Sequence, residues 1–103
     1  MEDPIQTFFE ELAQRGYEPG LQSVTGSCRF DIAEKGSWLV TAHDGVLAVS
    51  QNAADADCVL CTGADDFEAI IRGEQSPLTV AMQGRMQGEG DIAIGLVMQR
   101  IFH

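Results

Sequence analysis

The chain closes on a helix with almost nowhere to hide. From Gly84 it reads Gly-Arg-Met-Gln-Gly-Glu-Gly-Asp, then Ile92-Ala-Ile-Gly-Leu-Val-Met98, then Gln-Arg-Ile-Phe-His103. A short glycine-punctuated strand runs into a helix that is apolar on nearly every side. Such a helix must be covered, and a chain of 103 residues has little core to cover it with. The rest of the chain must therefore supply an apolar face for it. Any shortfall has to be met by a partner chain or by an apolar ligand held inside the domain.

Length fits one domain over residues 1–103, and 45% hydrophobic content argues against disorder. Charge is the unusual quantity. Sixteen acids against six bases give a formal net charge of -10, with Lys35 as the only lysine. That field repels phosphate backbones and anionic headgroups, so neither nucleic-acid binding nor strong electrostatic membrane attachment is expected. The acids read either as solubility or as adaptation to high salt. Met-Glu-Asp-Pro opens the chain without a basic head and apolar run, no stretch reaches bilayer length, and the ending is not Ser-Lys-Leu. A cytoplasmic protein with three reduced cysteines is the expectation.

Local signals divide the chain. Asp3 caps a first helix with Pro4 in its first turn, Ile5, Phe8, Phe9 and Leu12 form its stripe, and Gly16 stops it. Ser27 to Ala33 alternates as a strand with Cys28, Phe30 and Ile32 on one side. Ser37 to His43 and Val46 to Ser50 flank Asp44-Gly45, a two-residue type I′ signal. That turn pairs His43 with Val46, Ala42 with Leu47, Val40 with Val49 and Trp38 with Gln51. Trp38, Val40, Ala42, Leu47 and Val49 then share the inner face. Cys58 to Cys61, apolar throughout, reads as an interior strand. Thr62, with Asp65 three residues on, reads as the cap of a helix burying Phe67, Ile70 and Ile71 and ending at Gly73. Ser76-Pro77 begins another, carrying Leu78, Ala81 and Met82. Arg85 to Glu89 is the last strand, and Asp91 caps the final helix. The class is α+β, an antiparallel sheet with helices gathered on one face.

Several motifs do not survive their context. Cys58 and Cys61 lie within a strand, where residues three apart point to opposite faces, so they form neither a redox pair nor half of a zinc site. The only histidines are His43 and His103, and no metal is expected. Gly88-Glu89-Gly90-Asp91-Ile92-Ala93 matches a dinucleotide pattern, but the chain ends before the next strand, and two acids occupy the place of a pyrophosphate. Asp44 beside His43 is explained by the turn, and no serine sits in a nucleophile elbow. No acid, base and nucleophile assemble, so neither an enzyme nor a cofactor is expected.

The order that remains is specific. Ala56-Asp57 precedes an apolar strand, Asp65-Asp66-Phe67 opens a helix, Gly73 and Ser76-Pro77 follow, then Gly84 to Asp91 and the apolar helix. With Trp38 and the Asp44-Gly45 hairpin upstream, the chain from about Ile5 to Phe102 resembles the sterol-carrier-protein family of non-specific lipid-transfer domains, in a short stand-alone prokaryotic form. The resemblance implies a five-stranded, mostly antiparallel sheet with helices over one face, enclosing an apolar tunnel. It implies non-catalytic binding and transfer of fatty acids, fatty acyl-CoA or sterol-like lipids. It also implies an alternative, an accessory protein of lipid or quinone metabolism with the last helix buried in a homodimer or partner interface. Gly88 departs from the family, which carries an apolar β-branched residue there, and either widens the cavity or loosens an edge. The expected lining is Phe30, Trp38, Val40, Phe67, Ile71, Leu78, Met82, Met86, Ile94, Met98 and Phe102. Arg85 is the nearest candidate to orient a carboxylate head.

Overall fold

The structure is a computed structural model and describes residues 3–102. Met1, Glu2 and His103, the second histidine weighed as a metal ligand, lie outside the described residues. Helix α1 spans Pro4–Arg15, capped by Asp3, whose Oδ1 accepts the Ile5 N–H at 2.9 Å. It ends at Gly16, whose φ of 63° is the left-handed conformation that glycine adopts at no steric cost. Ile5, Phe9 and Leu12 are buried and Phe8 packs beside them, as the stripe requires. A 3-10 turn at Pro19–Leu21 leads into the sheet.

The strands are β1 (Thr25–Ile32), β2 (Gly36–His43), β3 (Val46–Ser50), β4 (Cys58–Thr62) and β5 (Met86–Gly90), in spatial order β3-β2-β1-β4-β5. Only β1 and β4 run parallel; the other three pairings are antiparallel, so the sheet is mixed. The β2–β3 register pairs His43 with Val46, Ala42 with Leu47 and Val40 with Val49, as the turn dictates. The ladder stops at Leu39 and Ser50, one pair short of Trp38 and Gln51. Asp44 and Gly45 have φ of 50° and 88°, the positive pair that a type I′ turn demands. Strand β4 has a neighbour on each side, although β1 is the middle strand.

Helices α2 (Ala64–Ile71), α3 (Pro77–Met82) and α4 (Ile92–Met98) complete the fold, with a last 3-10 turn at Gln99–Ile101. The cap of α2 is a correction. Thr62 ends β4 and its hydroxyl donates to the Arg85 carbonyl at 3.0 Å, so Gly63 takes the cap position without a side-chain bond. The strand register, not the Thr62–Asp65 spacing, decides what that hydroxyl can reach. In α3 the buried residue is Val80, while Leu78 and Met82 are exposed. Asp91 caps α4 as its position requires.

One face of the sheet carries the core. Phe9 stacks on Trp38 at 4.9 Å and on Phe67 at 5.6 Å, Phe8 stacks on Phe102 at 5.3 Å, and Phe30 meets Phe9, Phe67 and Phe102. Such ring pairs contribute about 0.5–1.5 kcal/mol each beyond burial. The aromatic residues thus fill the centre between α1, α2 and the sheet. Helix α4 settles over β1 and β4 because Gly95 lacks a side chain, since a Cβ there would lie 2.9 Å from Cys58 Sγ.

Candidate functional site

With the centre filled, the open apolar space lies at the β5 side of the sheet. Four elements make it. Leu60 of β4 with Met86 and Gly88 of β5 form the floor, Pro77, Leu78 and Ala81 of α3 form one wall, and Ile92, Gly95, Leu96 and Met98 of α4 form the other. Phe30 and Phe102 close its inner end, and Gln99 is the one polar side chain on its surface. The cavity volume is about 150 Å³. An apolar space of that size holds a benzene-sized group of about six carbons.

Sequence and register explain why the space exists here. The inner-face positions of β1 and β4 are filled by Cys28, Phe30, Cys58 and Leu60, but β5 presents Met86, Gly88 and Gly90 in line with them. A Cβ on Gly88 would come within 3.2 Å of Ile92 Cδ1 and 3.3 Å of Leu60 Cδ2. The absent side chain is therefore part of the hollow. On α4 and its C-cap Gln99, the residues Met98, Gly95, Gln99, Ile92 and Leu96 form one continuous arc around the helix axis, at about 100° per residue. That arc faces the pocket. Ile92 and Leu96 remain 50% and 53% exposed, so half of the cover that this helix needs is missing.

Of the expected lining, Phe30, Leu78, Met86, Met98 and Phe102 come together around this pocket. The others do not. Trp38, Val40 and Phe67 are buried in the core, where Trp38 and Phe67 stack on Phe9. Ile71 and Ile94 pack half-buried against the core, Ile94 reaching over Gly26 of β1. Met82 stands 79% exposed on α3, away from the lining. Leu60, Pro77, Ala81, Ile92, Gly95, Leu96 and Gln99 line the pocket without having been singled out. The signal for the α4 residues was Gly95, the one gap in that helix, which marks where it touches the sheet and which arc flanks the contact.

The walls contain no titratable side chain. Arg85 is engaged elsewhere, donating to Asp66 Oδ1 at 2.7 Å and to Gln83. Cys28 and Cys58 lie side by side on the inner face, and burial pushes both thiols up; Cys61 points to the opposite face, raised by burial and by Asp31. All three are free and are thiols near neutral pH. Asp44 Oδ1 accepts the Ser23 N–H at 2.9 Å, which gives that carboxylate a structural task. A wider polar depression runs along Asp31, Lys35, Ser37 and Cys61. Two of its charged groups are engaged: hydrogen bonds from Arg29 and Ser37 hold the Asp31 carboxyl below the usual carboxylate range, and Lys35 pairs with Asp3 at 3.2 Å. Among the described residues no group of three histidine, cysteine or acidic side chains is placed to hold a metal, and no helix is long and apolar enough to cross a membrane.

Residues 5–103 match the sequence model of the SCP-2 sterol transfer family. Over 102 residues the chain is 24% identical to hydroxysteroid dehydrogenase-like protein 2 of Xenopus laevis, covering 95% of this chain and 24% of that protein. Over 64 residues it is 36% identical to the ubiquinone biosynthesis accessory factor UbiT of Escherichia coli K12, covering 62% of this chain and 36% of that protein. The chain thus spans about a quarter to a third of the length of these relatives. Palmitated SCP2L2 from Aedes aegypti superposes with a TM-score of 0.80 at 23% identity, over 96% of this chain and 94% of that one.

Proposed function

The chain belongs to the SCP-2 sterol transfer family, and we propose that it binds single lipid molecules and carries them without changing them. The observation that carries this reading is the pocket: every wall residue but Gln99 is apolar, in a chain with net charge -10. Burying about six methylenes at roughly 0.8 kcal/mol each contributes roughly 5 kcal/mol gross. Ordering and association consume much of that. A longer tail therefore has to extend along the exposed apolar rim of Leu78, Ile92 and Leu96 or displace α4 outward. Methionines at 86 and 98 suit a surface that adapts to differing tails. Fatty acids, fatty acyl-CoA and sterol-like lipids are the cargo classes.

A charge placed in the rim tests it. Leu96→Asp sets an unpaired carboxylate against the tail, at a position exposed enough for the fold to tolerate. Uptake of Nile red, a neutral fluorescent probe of apolar sites, should fall at least tenfold while the melting temperature stays within a few degrees. Undiminished uptake by the folded variant would contradict the assignment.

A second reading has its own support. The similarity to UbiT favours an accessory role in lipid or quinone metabolism, with α4 buried against a second copy or another protein. Exposed Leu78, Ile92 and Leu96 fit that cover as well as a ligand does. The two readings separate by size and content: a lipid-free dimer supports the interface, a lipid-loaded monomer the carrier.

A further inference from the structure

The pocket has a cationic neighbour that forms no ion pair among the described residues. The chain has six bases, and five of them are spoken for: Arg15 pairs with Glu18, Arg29 with Asp31, Lys35 with Asp3, Arg72 with Glu68 and Glu74, and Arg85 with Asp66. Among the described residues Arg100 is the one cation with no carboxylate within 4.0 Å. Its Nη1 donates to the Gly20 carbonyl at 2.6 Å, which holds the side chain extended over the 3-10 turn at Pro19–Leu21 and leaves its other donors available. In a protein so rich in acids, a cation with no carboxylate partner among the described residues is the exception that calls for a reason.

Its location supplies one. Arg100 lines a shallow cleft with Glu18 and Gly20, and that cleft shares Leu96, Gln99 and Phe102 with the apolar pocket. The two hollows are thus contiguous, one apolar and the other carrying a guanidinium and an amide. An amphiphile has the same division. Glu18 also faces the cleft, since its Oε1 and Arg100 Cδ both lie within about 3.3 Å of the point where a Gly20 Cβ would sit. That carboxylate accepts the Gly20 N–H and pairs with Arg15, but it still opposes a second negative charge. A monoanion therefore fits better than a dianion.

We propose that Arg100, with Gln99 beside it, is the head-group site of this pocket and takes the carboxylate of a single-chain amphiphile whose tail lies between β5 and α4. This rests on the carrier reading of the pocket and adds the head-group chemistry to it. Guanidinium meets carboxylate through charge-assisted, paired hydrogen bonds.

The test compares dodecanoate with its methyl ester, which shares the tail and lacks the charge, by displacement of Nile red at pH 8 and below micellar concentrations. The native chain should bind the acid about tenfold more tightly than the ester. Arg100→Gln should bring the acid to within about twofold of the ester and leave the ester itself unchanged. Arg85→Gln, which removes the same charge from the surface, should keep the tenfold preference. Raising potassium chloride from 0.05 to 0.5 M should weaken the acid and spare the ester. Equal binding of acid and ester by the native chain overturns the head-group site and leaves the tail pocket standing. So does a preference that survives Arg100→Gln, or a loss of both ligands together in that variant. Dodecyl phosphate binding more tightly than the acid contradicts the carboxylate assignment. If neither dodecanoate nor its ester displaces the probe, the carrier reading falls with the proposal.

Discussion

At the scale of single residues, Gly88 decides how much room the pocket has. Its place opposite Leu60 and beneath Ile92 makes it a gap in the floor. The atoms that a side chain would meet are ends of flexible side chains, and β5 is an edge strand. Gly88→Val should therefore fold and melt at least as high as the native chain, because a β-branched residue suits a strand. It should also weaken binding of dodecanoate about tenfold, the equivalent of roughly two methylenes of lost burial. Unchanged affinity in probe displacement would show that the ligand does not rest on this floor. The departure at Gly88 was legible in the sequence; which of its two consequences holds depends on what lies opposite. Likewise, no pattern in the sequence separates Arg85 from Arg100. The difference arises because α2 brings Asp66 to Arg85, whereas Arg100 donates to the Gly20 carbonyl and pairs with no carboxylate among the described residues.

At the scale of elements, α1 and the β2–β3 hairpin were legible because their signals are local: a cap, a proline, a left-handed glycine and a two-residue turn. Helix α3 was not. Its six residues are too few for periodicity to define a face, and Val80 rather than Leu78 or Met82 is the buried one. Helix α4 was recognised as needing cover, but its orientation depends on Gly95 resting against Cys58. Gly95→Val tests that contact. The new side chain would push α4 off the sheet, and overpacking of this kind costs about 1–3 kcal/mol. In a domain of this size the melting temperature should fall by several degrees or more, and Gly95→Val combined with Cys58→Ala should recover part of the loss. A native-like melting curve for the single variant would mean that α4 is not seated there. The expected Thr62 cap failed for a related reason. A spacing of three residues identifies a capping pair only where the first residue is free, and strand pairing had already claimed Thr62.

At the scale of the whole molecule, the α+β class, the sheet and its inner face follow from alternation and turn chemistry. The position of the cavity does not. The sequence shows that apolar residues are plentiful, not which of them pack together. Five phenylalanines and one tryptophan could have left a central channel; instead they stack and fill the middle, and the hollow moves to the side where β5 carries glycines and α4 is half covered. Six of the expected lining residues were consequently placed against the core or in solvent rather than around the pocket. The pocket has room for only about six carbons, so under the proposed carrier reading a longer tail either lies along the exposed rim or displaces α4, whose Ile92 and Leu96 remain half exposed.

The most direct test is native mass spectrometry of the purified protein, with an organic extract of the same sample. A monomer carrying one non-covalent lipid in near-stoichiometric amount, released on unfolding, is the result expected if an apolar guest completes the cover of α4. A lipid-free monomer that also fails to take up added dodecanoate, or a dimer in which Leu96 is protected from solvent and no lipid is present, would contradict it.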